Sequence, residues 1–123
     1  MIYKTRLFNK WARKAVLSDE ALCRAVKEIR QGLVDTDLGG GIIKKRIALI
    51  GQGKRGSART LLATNRNDTW IFVFGFEKNK RANISDNELE SLKKLAKTLL
   101  GLTSTQIAIA VGEGSLVEVE YEA

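Results

Sequence analysis

Seven consecutive residues, Trp70-Ile-Phe-Val-Phe-Gly-Phe76, are apolar throughout, and no other stretch of the chain restricts the fold as strongly. A strand that faces water on one side alternates apolar with polar residues, whereas a strand covered on both faces has no reason to. The run therefore predicts the centre of a sheet with other structure packed on each side. Just before it, Asn65-Arg-Asn-Asp68 has the composition of a hairpin turn, which makes Arg59-Thr-Leu-Leu-Ala-Thr64 an adjoining strand.

The remaining segments supply what covers that strand. Residues 2 to 7 read as a short edge strand, and Phe8, Trp11, Ala12 and Ala15 recur at helical spacing behind it. Ser18-Asp-Glu20 opens a second helix with an acidic first turn. Its apolar stripe, Leu22, Val26, Ile29 and Leu33, leads to Gly32 and the turn-rich segment from Asp35 to Gly41. A strand with a basic centre, Ile42-Ile-Lys-Lys-Arg-Ile-Ala-Leu-Ile50, comes next. Beyond the central strand, Ser85 followed three residues later by Glu88 is a capping box, and Leu89, Leu92, Ala96 and Leu99 form the buried stripe of its helix. Gly101 is expected to end that helix in the left-handed conformation. Residues 106 to 111 fit a short helix or a strand, and the final segment alternates Val117, Val119 and Tyr121 with Glu118, Glu120 and Glu122. With 123 residues, no internal repeat, no low-complexity linker and no proline, the chain is expected to form a single domain over residues 1–123.

Composition removes several classes of chemistry. There is no histidine and one cysteine, Cys23, so neither an internal disulfide nor the usual His/Cys zinc site can be assembled, and a histidine-activated serine or cysteine nucleophile is impossible. Cys23 reads as buried or half-buried helix surface. No cofactor and no metal are expected; any chemistry must use Lys, Arg, Tyr or carboxylates. No apolar run approaches the roughly 20 residues needed to span a bilayer, and the N-terminus lacks the apolar segment of a secretory signal. A cytoplasmic protein with no membrane partner is the expectation.

Net charge is +7, but residues 1–81 carry 18 Lys and Arg against 7 Asp and Glu, and the rest 3 against 7. A body near +11 joined to a tail near −4 suits a polyanion, because cationic surfaces gain affinity by displacing counterions condensed on nucleic acid. Strand alternation puts Lys44 and Arg46 on one face of the basic strand and Lys45 on the other, with Ile43, Ile47 and Leu49. Lys54, Arg55 and Arg59 lie across the adjoining hairpin, and Lys78, Lys80 and Arg81 leave the end of the central strand. If these groups converge, they suit cleavage of RNA by its own 2′-hydroxyl, where fixed cations stabilise charge building on phosphoryl oxygens. Lys44, Lys45 and Lys54 are the candidates for proton transfer, since neighbouring cations lower a lysine pKa.

Other motifs carry less. Gly51-Gln-Gly-Lys-Arg-Gly56 has the dinucleotide-binding pattern but joins two strands instead of a strand and a helix, so it reads as a glycine-rich hairpin whose amides, Lys54 and Arg55 could reach a phosphate. Asp35 and Asp37 precede three glycines and read as a turn, not a metal site. Trp11, Trp70, Tyr3 and Tyr121 fall on apolar patterns and read as packing residues.

Two helices, a basic strand, a Gly/Lys-rich hairpin, an apolar strand and a basic turn, in that order, resemble the RelE/ParE superfamily of bacterial toxins. The closest likeness is to the RelE-like, HigB-related branch, carried by Leu38-Gly-Gly-Gly-Ile-Ile-Lys-Lys-Arg-Ile-Ala48, Gly51-Gln-Gly-Lys-Arg-Gly56, Arg59-Thr60, Phe74-Gly-Phe-Glu-Lys-Asn79 and Asn83-Ile84. It covers a core of residues 1–102, leaving 103–123 as a C-terminal extension. The resemblance implies an α+β, RelE-like fold: an N-terminal strand and two helices packed on a small, mainly antiparallel sheet, with a C-terminal helix and an additional terminal strand. It also implies the toxin of a type II toxin-antitoxin system, a ribosome-dependent mRNA endoribonuclease that inhibits translation and growth. The implied partners are mRNA in the ribosomal A site and a cognate antitoxin with a helix-turn-helix DNA-binding domain, which can join it in a higher-order complex. On that likeness Arg59, Lys45, Lys54 and Arg81 are the candidate catalytic residues, and Lys44, Arg46, Arg55, Lys78 and Lys80 the candidate RNA-binding residues. Many relatives have tyrosine where this chain has Ala58, and a catalytic tyrosine or histidine near the C-terminus has no counterpart after Arg81. The general acid and base are therefore unassigned. The competing functions are a non-enzymatic DNA gyrase inhibitor of the ParE type and a basic protein that binds nucleic acid without cutting it.

Overall fold

The computed structural model describes residues 1–34, 36–49 and 56–120. Strand β1 (Ile2–Thr5) gives way to helix α1 (Arg6–Ala15) two residues earlier than the apolar pattern predicts, because the Thr5 hydroxyl accepts the Phe8 N–H and caps the helix. Ser18 caps α2 (Asp19–Arg30) in the same way. Leu22, Val26 and Ile29 are buried as expected, but Leu33 is not part of that stripe. The helix stops at Arg30, Gly32 takes φ +90°, and Leu33 is 56% exposed.

Part of the segment expected to be a turn instead forms β2 (Thr36–Gly39), which pairs antiparallel with β3 (Ile42–Ala48) through Gly39, Gly40 and Gly41, all at positive φ. Strands β4 (Ser57–Thr64) and β5 (Trp70–Glu77) continue the antiparallel ladder. Helix α3 (Asp86–Leu100) starts at the predicted capping box. Gly101 does not end it in the left-handed conformation: φ is −89°, and the chain runs straight into the Thr103 cap of α4 (Ser104–Glu113). That cap, a second capping box with Gln106, settles residues 106–111 as helix. A final strand, β6 (Leu116–Glu118), pairs antiparallel with β1. No single helix among the described residues is long and apolar enough to cross a membrane.

The sheet order is β2-β3-β4-β5-β1-β6, antiparallel except where β1 runs parallel to β5. The fold is thus α+β with a mainly antiparallel sheet, as expected. Phe8, Leu22, Val26 and Ile29 from α1 and α2 pack on one face with Ile43, Leu62, Trp70 and Phe72. Ala96 and Leu99 of α3 cover the other with Ile42, Leu61, Ala63 and Ile71. Strand β5 is buried from both sides. Trp70 is fully buried and Trp11 half-buried against the same core, so both tryptophans pack as expected. Cys23 is buried, and that burial, with the Asp19 charge second, raises its thiol pKa.

Simple alternation would put Trp70, Phe72, Phe74 and Phe76 on one face. A β-bulge prevents it. Leu61 pairs with Phe74 but Leu62 pairs with Phe72, so Val73 is the extra residue. Before the bulge, Trp70 and Phe72 face α1 and α2; after it, Phe74 and Phe76 lie on the α3 face. Gly75 then turns toward α1, where a Cβ would overlap Cζ3, Cε3 and Cη2 of the Trp11 ring.

Among the described residues two lysines are buried, and both are neutralised by α2. Lys4 Nζ sits 2.6 Å from Asp19 Oδ1, whose other oxygen accepts the Glu120 N–H. Lys45 Nζ sits 2.9 Å from Glu28 and donates to the Leu33 carbonyl at 2.9 Å.

Replacing Gly75 by alanine should lower stability by about 1–3 kcal/mol, because the ring of Trp11 must move to admit the methyl group. In a Trp11→Ala background the same change should cost little or nothing, since the obstructing ring is gone. Denaturant midpoints of the four proteins in this cycle check it; equal costs in both backgrounds would show that the close approach is not what Gly75 serves.

Candidate nucleic-acid interface

Strand register brings the basic residues together. Across three adjacent strands Arg46 pairs with Arg59, and Arg59 with Phe76. One step along, Lys44 pairs with Leu61 and Leu61 with Phe74. Leu61 and Phe76 belong to the α3-side core, so the row Arg46–Arg59–Phe76 lies on that face, displaced along the strands from the region held by Ala96 and Leu99. Like charges directly opposite each other across two strands are unfavourable, and Arg46 opposite Arg59 is such a pair.

Arg59 is half-buried, and its Nη1 donates to Ser57 Oγ at 3.2 Å. Residues 57 and 59 are two apart and share a face, so the buried Ser57 hydroxyl steadies the arginine from its own strand. Among the described residues no carboxylate pairs with Arg59, Lys44 or Lys78. Lys78 is exposed beside this row, its backbone N–H bonding to the Ser57 carbonyl at 3.3 Å. Lys80 pairs with Glu77 at 3.0 Å.

Arg81 reaches the row from the turn after β5. Its guanidinium lies over two rings, 5.7 Å from the centroid of Phe74 and 5.6 Å from that of Phe76. Nε donates to the Asn83 carbonyl at 3.0 Å, Nη1 donates to Glu88 Oε2 at 3.1 Å, and Nη2 donates to Glu88 Oε1. The Glu88 carboxylate is also part of the α3 cap, where Oε1 accepts the Ser85 N–H at 2.9 Å. Chiefly through the Arg81 contact, and then through the Ser85 amide, the Glu88 pKa falls to about 2.

Of the residues singled out from sequence, Lys44, Arg46, Arg59, Lys78 and Arg81 are placed along this end of the sheet. Lys45 does not join them: alternation turns it to the α2 face, where Glu28 and the Leu33 carbonyl hold its ammonium. Lys54 and Arg55 lie outside the described residues, as do Asp35 and Tyr121. Of the described residues that flank them, Leu49 donates its N–H to the Gly56 carbonyl at 2.7 Å. Asp37 does turn work, accepting the Gly39 N–H and pairing with Arg66. Sequence reading missed Ser57, the rings of Phe74 and Phe76, and Glu88. The capping box was visible at Glu88, but nothing in the spacing tied that carboxylate to Arg81.

A concavity of about 770 Å³ adjoins this end of the sheet through Phe74 and extends between α1 and α3, lined also by Leu7, Trp11, Leu92, Leu95 and Leu116. Arg6 is its one charged lining residue among those described, so it lacks the groups that phosphodiester chemistry needs.

Glu88 should titrate near pH 2 in the intact protein, against an ordinary value of 4.5. The sign follows from the lowered folded-state value: the contribution of this carboxylate to stability is full above about 4.5 and is lost as pH falls toward 2. In Arg81→Ala the midpoint should move up, stopping short of 4.5 because the Ser85 amide still bonds the carboxylate. Carboxyl-carbon NMR titration of both proteins reads this directly; an unshifted midpoint in the variant would mean that Arg81 is not its cause.

A family model described as the RelE toxin of the RelE/RelB toxin-antitoxin system matches residues 1–119, taking in every described element from β1 to β6. A search of curated proteins gives no match. Among the described residues a six-stranded, mainly antiparallel sheet with four helices is consistent with the RelE-like fold, and a toxin of such a system has a cognate antitoxin as its partner. The chain belongs to the RelE toxin family, the toxin component of a toxin-antitoxin system.

Proposed function

We propose that this toxin is an endoribonuclease that cuts mRNA in the ribosomal A site and so arrests translation, and that its cutting face is the end of the sheet carrying Arg46, Arg59 and Arg81. The observation that carries this reading is the cross-strand register. Arg46 lies opposite Arg59, like charges whose mutual repulsion a bound anion relieves, and among the described residues no carboxylate pairs with Arg59. RNA is such an anion, and counterion release from its phosphates rewards clustered Lys and Arg.

The reaction needs little covalent work from the protein. The 2′-oxygen bonds to the adjacent phosphorus, the bond from phosphorus to the 5′-oxygen breaks, one proton leaves the 2′-hydroxyl and another reaches the departing oxygen. The products are a 2′,3′-cyclic phosphate and a 5′-hydroxyl. Arg59, steadied by Ser57, holds the charge that builds on the phosphoryl oxygens. Arg81 approaches the same phosphate from above Phe74 and Phe76, while Lys44, Arg46, Lys78 and Lys80 track the flanking backbone. Lys54 and Arg55 are assigned to the same site on the family likeness, with Lys54 as the proton-transfer candidate. Lys45 acts through the fold, by closing the contact between β3 and α2. The cognate antitoxin is proposed to carry a helix-turn-helix domain, to form a higher-order complex with the toxin, and to act with it in the cytoplasm.

Inducing the chain in a bacterial host with and without its antitoxin, while mapping mRNA 5′ ends, tests the reading. Cuts inside translated frames, relieved by the antitoxin, are expected; growth arrest without cuts would move the assignment to DNA gyrase or another target. Arg59→Ala should lower the cleavage rate by about 10²–10³, the usual cost of removing one well-placed charge-stabilising donor, with antitoxin binding intact. Lys97→Ala, on the exposed side of α3, should do little. Lys45→Met should lower the melting temperature while leaving the rate per folded molecule near that of the parent.

A further inference from the structure

We propose that Glu88 is a positioning residue of the RNA-cleaving face: its carboxylate, anchored in the first turn of α3, holds the Arg81 guanidinium over Phe74 and Phe76, ready for a phosphate. The inference rests on the reading of that face as the RNA site.

Three observations converge on Glu88. Both of its oxygens engage Arg81, through Nη1 at 3.1 Å and through Nη2. Its Oε1 also accepts the Ser85 N–H, and its own N–H donates to Ser85 Oγ at 3.1 Å, so the carboxylate is fastened to a helix terminus instead of moving with an exposed side chain. Third, the aromatic floor under the guanidinium exists because the bulge at Val73 turns Phe74 and Phe76 to this face, the latter beside Arg59.

A guanidinium has five N–H groups. Asn83 takes one and Glu88 takes two, which leaves one on Nη1 and one on Nη2 for an outside acceptor. An arginine on a surface turn would otherwise sample many rotamers and lose that freedom when phosphate binds. Held beforehand, it loses little, so the clamp lowers the cost of reaching the reactive arrangement. The same carboxylate offsets the arginine's charge, so Glu88 should weaken raw attraction to RNA while improving geometry.

That combination separates positioning from helix capping. Glutamine at the third helical position still completes a capping box, so Glu88→Gln should keep α3 folded, its melting temperature lowered only by the weakened Arg81 contact, while loosening Arg81. In single-turnover cleavage of a translated mRNA on ribosomes, the full-length Glu88→Gln protein should show kcat reduced about ten- to a hundredfold. Its affinity for a non-cleavable 2′-deoxy oligonucleotide at low salt should be equal or tighter, because a negative charge has gone. Arg81→Ala combined with Glu88→Gln should be no slower than Arg81→Ala alone. Separately, the Arg81 Nε–Hε NMR signal should be sharp in the parent and should broaden or shift to the averaged position of exposed arginines in Glu88→Gln. Unchanged or increased kcat, additive losses in the double variant, or an unaltered Arg81 signal would each overturn the proposal. Arg59→Ala serves as the control on the underlying reading. Its retention of full activity, or a parent protein that does not cut, would remove the RNA site itself, whereas an inactive Arg59→Ala beside a normal Glu88→Gln would remove only the role of Glu88.

Discussion

The β-bulge at Val73 decides what each face of the sheet can present. Up to Phe72 the central strand sends its large rings toward α1 and α2, and after Val73 it sends them toward α3. A bulge costs the ladder one paired residue and bends the strand. Here it is offset on both sides. Trp70 and Phe72 are buried under the first helices, worth about 1.5–3 kcal/mol for each large side chain fully removed from water. Beyond the bulge, Gly75 lets the Trp11 ring lie directly on the backbone, a fit that no residue with a Cβ allows without displacing it. Phe76 then becomes the neighbour of Arg59, and the α3 face acquires an aromatic end in place of a purely charged one.

Charge is handled differently on the two faces. Under α2 the cationic groups are buried and each is neutralised: Lys4 by Asp19, Lys45 by Glu28 and a carbonyl. Leaving such a group unpaired would cost several kcal/mol, roughly 3–5 for a broken buried pair, so these contacts are conditions of folding. On the α3 face Arg46 lies opposite Arg59, and the Glu88 carboxylate holds Arg81 beside them from the helix side. Clustered positive charge in this position works against stability and in favour of a polyanionic partner. That division, paired lysines inside and grouped arginines outside, is the electrostatic signature of the molecule.

Much of this was legible in the residues. Alternation in Ile42–Ala48 separated Lys44 and Arg46 from Lys45, because the two-residue period of a strand is a local property. The capping box at Ser85 and Glu88 and the burial of Cys23 were equally local. The expectations that failed depended on what comes next in space. Gly101 was free to turn left-handed but does not, since Thr103 immediately caps another helix. Leu33 continued an apolar stripe on paper, yet the helix ends at Arg30, and its carbonyl serves Lys45.

The amino-acid sequence by itself determined the class of the molecule: an α+β chain built on a doubly covered strand, carrying most of its positive charge in the first 81 residues, with no histidine to share in any reaction. Those properties follow from composition, local periodicity and capping, which need no knowledge of distant neighbours. Only the tertiary structure decided which cations meet. A uniformly apolar strand such as Trp70–Phe76 has no polar residue to mark a change of face, so its bulge leaves no trace in the hydrophobic pattern. The meeting of Arg46 with Arg59, and of Arg81 with Phe76 and Glu88, depends on strand register and on a helix returning across the sheet. Such contacts join residues far apart in the chain, and their geometry is set by packing that no short stretch of sequence encodes.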